Sequence, residues 1–408
     1  MDGIRVIKID SGDIGSEDSH NKYEGLRDLW CRVFGDEPGF VDLFYESFGE
    51  NIRGYVICND AGKVISALTC FRCGVFRDPS GNAEGRPALD AVDDQARDTE
   101  DAEDGQGDGQ GDGADGLPVY VSYAICTDPE YRGQGHAAAL TDYVRKVVTA
   151  PRGTVIYEED DRLPAAEGLG GISLVSPAEE SLVGYYDGLG YRESFFVDEH
   201  LVRAGADDLP GAEDEFAGAD FGAVSAADTG RFETAGDTRF WGLGPDGNAD
   251  FLDDEEGEAF EPELSVESVS GSMYNRYREE FLADIPHVEM SPEMMEFLRA
   301  DGDGGLIVIN GGDAICRVAY AGAGVAGEAD GKGAEDAASG KTVMLDELLV
   351  NPQLLAFSEE IGEEIAEQLA EYFGAETLVY RTPGFGRCQS MSNAEAVTAG
   401  AYFGFPIE

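Results

Sequence analysis

Basic residues are scarce in this chain: 28 lysines and arginines stand against 83 aspartates and glutamates, a formal net charge of −55. Binding a phosphate backbone needs cationic side chains to displace counterions, so general nucleic-acid affinity is excluded. There is no run of about eighteen apolar residues, so no membrane-spanning helix is expected. The start, MDGIRVIKIDSGD, lacks the basic opening and apolar core of a signal peptide, which makes the cytoplasm the expected compartment. The seven cysteines are scattered and odd in number, so no disulfide framework is expected. Cys70 and Cys73 do form a C-x-x-C, yet they fall in a predicted strand, where residues three apart point to opposite faces. No second pair follows, and no metal site is expected. Also missing are G-x-S-x-G, H-E-x-x-H and a credible dinucleotide fingerprint, which leaves a hydrolase or dehydrogenase without support.

The chain is long enough for two domains, and its 42% hydrophobic and 10% aromatic content suits packed cores. The acidic excess has two readings. One is a field that draws cationic, amine-bearing substrates. The favoured one is a solvated acidic surface, because much of the acid sits in low-complexity segments.

The stretch from Pro118 to Ala150 organises the rest. It opens as a β-branched and aromatic strand, turns at Asp128-Pro129, and passes through Arg132-Gly133-Gln134-Gly135-His136-Ala137. It continues as a helix with Ala137, Leu140, Val144 and Val147 at helical spacing. Strand, glycine loop and helix N-terminus together make a phosphate cradle: backbone N–H groups converge at the positive end of the helix dipole.

Before it come a strand at Ile4–Ile9, helices over Asn21–Gly35 and Phe40–Phe48, and a hairpin of Tyr55–Cys58 with Val64–Phe76. The acidic insertion at about 77–117 has almost nothing to bury and is expected to be disordered. After the cradle, Thr154–Tyr157 and Gly171–Ser176 read as strands. A helix starts at Pro177 and stops at Gly188-Leu189-Gly190, and a strand covers Tyr191–Val202. Residues 203–265 read as linker or decorated loop. The order of elements then repeats. Helices at Met273–Ala283 and Pro292–Arg299 lead to a hairpin (Gly305–Asn310, Ala314–Ala321) and a low-complexity loop, Gly322–Gly340. A strand (Thr342–Val350), a helix (Glu359–Phe373) and a strand (Thr377–Arg381) follow. Here Asn351-Pro352-Gln353-Leu354-Leu355 replaces the glycine loop, so no second cradle is expected.

The segment Thr127 to Ala137 resembles motif A of the GNAT superfamily of acyl-CoA-dependent N-acyltransferases, whose pattern is Arg or Gln, two residues, Gly, one residue, then Gly or Ala. Arg132, Gly135 and Ala137 fit it. Pro177-Ala178-Glu179-Glu180 through Tyr185-Tyr186-Asp187-Gly188-Leu189-Gly190-Tyr191 is similar to the family's later motif. The second half resembles a degenerate copy, as in the tandem enhanced-intracellular-survival acetyltransferases.

The resemblance implies an α+β fold of two GNAT-like domains, each a mixed, mostly antiparallel sheet flanked by helices. Residues 1–202 would be the catalytic domain, 203–265 the connection and 266–408 the degenerate domain. It implies acetyl-CoA as co-substrate, with pyrophosphate on Arg132, Gly133, Gln134, Gly135, His136 and Ala137. Ile125, Cys126 and Thr127 would hold the pantetheine arm. Tyr186 would protonate the leaving thiolate, a role that suits a phenol with an ordinary pKa near 10. Tyr185 or another group in that role stays open, His136 receives no catalytic role, and Cys126 reads as a buried strand residue. The tail, Ala401 to Glu408, is expected to dock, with Glu408 at the acceptor amine. The acceptor is a small-molecule or peptide amine, cationic in character; a homo-oligomer is compatible with the sequence. The rival function is a non-catalytic coenzyme A-binding sensor or scaffold.

Overall fold

The computed structural model describes residues 5–10, 17–79, 116–156, 164–203, 264–301, 305–323, 341–358, 360–394, 397 and 400–404. The expectations for the acidic insertion, the connection, the Gly322–Gly340 loop and Glu408 therefore fall mostly or wholly outside the described residues.

The first half opens with β1 (Arg5–Asp10), α1 (Glu17–Phe34), α2 (Pro38–Phe48), β2 (Ile52–Cys58) and β3 (Val64–Arg77). The central unit is β4 (Leu117–Thr127), α3 (His136–Thr149), a small hairpin of β5 (Val155–Ile156) with β6 (Ala166–Glu167), and β7 (Ile172–Val175). Next come α4 (Val183–Asp187) and β8 (Arg192–Arg203). The second half holds β9 (Val266–Ser268), α5 (Gly271–Phe281), β10 (His287–Met290), α6 (Pro292–Asp301), β11 (Gly305–Ile309) and β12 (Ala314–Ala323). It ends with β13 (Lys341–Val350), α7 (Pro352–Leu355), α8 (Ile361–Phe373), β14 (Thr377–Pro383) and β15 (Arg387–Ser392).

The helices follow their apolar spacing. α2 starts with Pro38 in its first turn, where a missing N–H costs nothing, and buries Val41, Phe44, Tyr45 and Phe48 on one face. Phe44 lies 5.7 Å from Trp30, 5.1 Å from Phe71, 5.3 Å from Tyr123 and 5.0 Å from Phe297 of α6. Rings packed this way dominate core energetics, and truncating one costs about 3–5 kcal/mol. α3 covers the opposite face of the sheet with Leu140, Tyr143, Val144, Val147 and Val148. Cys73 belongs to the core on the α1–α2 face and Cys70 to the α3 face, so the C-x-x-C is split across the sheet as its spacing required. Burial pushes the Cys70 thiol up to about 12.

Thirteen strands of the described residues form one mixed sheet, in the order β1-β2-β3-β4-β7-β15-β8-β14-β13-β12-β11-β9, with β10 on β3. Only β4 with β7 and β13 with β14 pair in parallel. The fold class is α+β with a mostly antiparallel sheet, as expected.

Four strands had no counterpart in the sequence reading: the short β6 and β9, and two that shape the centre of the sheet. β15 lies between β7 and β8, and β10 pairs with the end of β3. At Gly74 a Cβ would stand 2.0 Å from the Glu289 carbonyl oxygen, so only glycine admits β10 so closely. The tail then joins the two. Phe196 N–H donates to Ala401 O (3.1 Å), Tyr402 N–H to Pro286 O (2.8 Å) and Val288 N–H to Tyr402 O (3.0 Å). The strands β3, β4, β7, β15, β8, the tail and β10 thereby close a circuit. A buried arginine locks it: Arg278 donates to Glu347 Oε2 (3.0 Å), Val288 O (2.6 Å) and Phe403 O (2.8 Å). The expected docking of the tail holds for Ala401–Gly404.

One predicted helix is shorter than expected. The chain from Pro177 to Glu179 stays non-helical, Glu180–Leu182 is a single tight turn, and α4 begins only at Val183. Glu179, Glu180 and Ser181 have nothing to bury there, and Tyr186 alone of α4 is buried.

Candidate active site

The site starts with a strand that stops pairing. β4 and β7 run in parallel from Val119–Ile172 to Ser122–Val175, and beyond that row β4 continues without its partner. On its other edge β4 bulges: Tyr123 opposes Thr69 and Cys126 opposes Ala67, with one residue too many between. Ala124 takes a positive φ of 48° in the bulge, a strained value for a residue with a Cβ. Beyond the bulge the strand end is pinned, as Ser66 Oγ donates to Cys126 O (2.8 Å) and meets Thr127 Oγ1 (2.9 Å).

The turn that follows is held by charge. Asp128 is 3% exposed, and its Oδ2 accepts from Lys63 Nζ (2.8 Å) and from Arg32 Nη2 (3.1 Å). Its Oδ1 accepts from Glu130 N–H (3.2 Å), and Arg132 Nε donates to Thr127 O (3.2 Å). The Lys63 ammonium, helped by the Glu130 N–H and Arg32, holds the Asp128 carboxyl below its usual range against the cost of burial.

Gly133 and Gly135 have φ of +75° and +79°, and a Cβ at either would meet nothing within 4 Å. This is open space at the head of α3. Gly135 offers no capping side chain, and the first turn of α3 carries no acid. Among the described residues, the backbone N–H groups of Gly133, Gln134, Gly135, His136, Ala137 and Ala138 have no acceptor. Six unpaired donors at a helix N-terminus, with Arg32, Lys63 and Arg132 near the turn, fit an anion in a chain that is otherwise acidic.

The sequence-predicted residues divide between the two faces. Ile125 packs against the cluster of Val175, Tyr186, Tyr191 and Met391, so strand end and tyrosine are brought together. Tyr186 is 7% exposed, and burial, with Tyr185 beside it, pushes its phenol up to about 12. Tyr185 is 38% exposed, and partial burial raises its phenol pKa. Cys126 lies on the opposite face, where burial pushes its thiol up to about 12, which makes it a packing residue. Thr127 is turned toward Ser66. His136 is 5% exposed, its Nε2 has no partner among the described residues, and burial lowers its pKa. Arg132, Gly133, Gln134 and Gly135 are exposed, and Ala137 is half-buried. Two buried polar side chains near the opening escaped the sequence reading. Ser122 on β4 and Gln389 on β15 both have side-chain atoms without a partner among the described residues.

The sequence matches no protein-family model and no curated protein. Solved structures do resemble it. A protein of Enterococcus faecalis V583, described as a "Probable N-Acyltransferase", superposes with a TM-score of 0.50 over 97% of this chain and 73% of its own, at 11% identity. A GCN5-related N-acetyltransferase from Anabaena variabilis ATCC 29413 covers 95% of this chain and 72% of its own, with a TM-score of 0.48 and 13% identity. The chain has the GNAT fold. Eis1 from Mycobacterium abscessus is also similar, with a TM-score of 0.41, 11% identity, and 92% and 65% of the two chains covered. In this chain the opening between β4 and β7 lies at the end of the strand that leads into the loop before α3, and Tyr186 packs with Val175 and Ile125 beside it.

Proposed function

We propose that the protein is an N-acetyltransferase that moves an acetyl group from acetyl-CoA directly to a primary amine. The observation that carries this reading is the row of six unpaired N–H groups at the head of α3, beside a strand pair that opens. The loop binds the pyrophosphate of the substrate, and the opening between β4 and β7 takes its pantetheine arm along Ile125 and Thr127. The amine nitrogen attacks the thioester carbonyl carbon, the C–S bond breaks, and no bond to the enzyme forms. Tyr186 donates its proton to the departing sulfur. Its raised pKa keeps it protonated throughout the neutral range, so the proton is present when sulfur charge develops. The protein's remaining contribution is to hold the two reactants together in a site with little water.

Glu408 is proposed as the group that takes the proton from the amine. Removing residues 405–408 is expected to lower turnover while acetyl-CoA binding stays as it was.

The test is thermal unfolding with acetyl-CoA, followed by thiol release on adding amines. Acetyl-CoA is expected to raise the Tm, and an amine to release thiol. Tyr186→Phe is expected to lower kcat by about a hundredfold or more with acetyl-CoA affinity unchanged. A raised Tm with no thiol released for any amine points instead to a coenzyme A-binding sensor.

A further inference from the structure

The bulged part of β15 holds a side chain for which the fold supplies no partner. Gln389 is 8% exposed, and neither its Oε1 nor its Nε2 has a hydrogen-bond partner among the described residues. A buried carboxamide presents two donors and an acceptor oxygen, and leaving them unpaired lowers stability. Such a group in a native core asks for an explanation.

Its place in the sheet supplies one. Val175 of β7 lies between Ser122 of β4 and Met391 of β15, in the last row where β4 and β7 pair. β15 runs antiparallel to β7, so Gln389, which precedes Met391, lies one step farther toward the open end of the cleft. The register of β15 on β8 shifts between Cys388, opposite Phe196, and Ser390, opposite Phe195. Gln389 is the extra residue. A bulge sets two residues against one, so Gln389 and Ser390 both oppose Phe195, a ring of the core under α1 and α2. Tyr186 belongs to the cluster on the other side. Ser390 is already engaged, its Oγ 2.7 Å from Ser176 Oγ at the end of β7. Among the described residues Gln389 keeps both of its amide atoms unpaired here, at the open end of the sheet on the face under α1 and α2.

We propose that Gln389 is a specificity-determining residue for the acceptor, selecting a primary amine that carries a hydroxyl or amide group on the neighbouring carbon. The proposal rests on the acyl-transfer reading above. Oε1 accepts from the amine N–H, and Nε2 donates to the hydroxyl or carbonyl oxygen. The two polar atoms of a carboxamide share one carbon, so the groups they read stand close together on the substrate. A plain alkyl amine leaves Nε2 unpaired, and so does a diamine, whose second ammonium has no lone pair to offer.

The full chain is assayed with acetyl-CoA and a matched pair of amines, 2-aminopropan-1-ol and butan-2-amine, in which a methyl replaces the hydroxyl. The wild type is expected to prefer the amino alcohol by about tenfold or more in kcat/KM. Gln389→Met keeps the length of the side chain and removes its polar atoms. It is expected to bring the preference within about twofold through the KM of the amino alcohol, with acetyl-CoA affinity unchanged. Its Tm is expected to equal or exceed that of the wild type, because no hydrogen bond within the fold is lost. A preference that survives the substitution overturns the proposal. So does a Tm lowered by more than about 4 °C, which would show that the amide has a structural partner. If the wild type binds acetyl-CoA but acylates neither amine, the proposal falls and the coenzyme A site stands. If acetyl-CoA does not bind, the acyl-transfer reading falls first.

Discussion

The β4–α3–β7 unit and the β13–α8–β14 unit are built alike as far as the end of their first strand. Each first strand bulges against its antiparallel neighbour, at Ala124–Ile125 in one and at Asp346 in the other. Each pairs in parallel over four residues with a later strand and then runs on alone. Each ends in an Asx-Pro turn in which the side chain accepts a backbone N–H, Asp128 from Glu130 (3.2 Å) and Asn351 from Gln353 (2.9 Å). There the likeness ends. α3 is entered through two glycines at positive φ with no acid in its first turn, whereas α8 follows α7 and carries Glu363 and Glu364 where an anion would sit. Asp346, the extra residue of the second bulge, is buried against Arg317 in an ion pair. Among the described residues, the first unit keeps Ser122 and six N–H groups without partners, and Gln389 on the neighbouring β15 is left without one too. The comparison teaches that this backbone geometry is not itself a site. What separates the two units is which polar groups the fold leaves unsatisfied.

The largest effect is expected in the β13–α8–β14 unit. Asp346→Ala leaves Arg317 buried without its partner and is expected to cost about 3–5 kcal/mol in urea unfolding, with acetyl-CoA affinity unchanged. Replacing both, Arg317→Met with Asp346→Leu, is expected to restore most of that stability. A loss of acetyl-CoA affinity in either variant would mean that the second unit contributes to binding after all. Next comes Gly135→Val in the β4–α3–β7 unit, where φ is +79°. A β-branched residue there is strained by about 1–3 kcal/mol and intrudes on the cradle, so calorimetry should show acetyl-CoA bound about a hundredfold more weakly. Ala356→Val, on the approach to α8, is expected to change nothing in that titration.

The smallest effect concerns the turn. Asp128→Asn loses its ion pairs to Lys63 and Arg32, whose side chains are about half exposed, and is expected to cost about 1–2 kcal/mol at neutral pH. The folded pKa of Asp128 is depressed, so its contribution is present above the unfolded value of about 4 and disappears as pH falls through the folded one. Stability curves of wild type and variant should therefore converge below about pH 4. Curves that stay parallel through that window would remove the carboxylate from the account.

The glycine loop and its turn were legible because their residues lie within Thr127 to Ala137 and glycine spacing reports directly on backbone conformation, whereas the Arg32 and Lys63 that hold Asp128 come from far away in the chain. Helices with dense apolar faces, such as α2 and α3, were legible for the same local reason. β15 was not, because Arg-Cys-Gln-Ser-Met-Ser has no alternation that marks a strand; its partners β7 and β8 make it one. β10 is four residues long and is defined by Gly74, far away in the chain. Gln389 draws its meaning from a bulge and a register with strands that precede it by about half the chain's length. Tyr186 was readable as a residue but not as a short helix, because only its own burial holds that turn in place.

The circuit closed by Ala401 and Tyr402 also bears on the order in which the protein can be made. When α3 and Tyr186 have been delivered, β7 still lacks β15 beside it, and β8, once made, waits in turn for the segment at Ala401. Domains that fold as they are synthesised tend to complete themselves from the N-terminus; this fold instead completes the centre of its sheet only with segments from far along the chain.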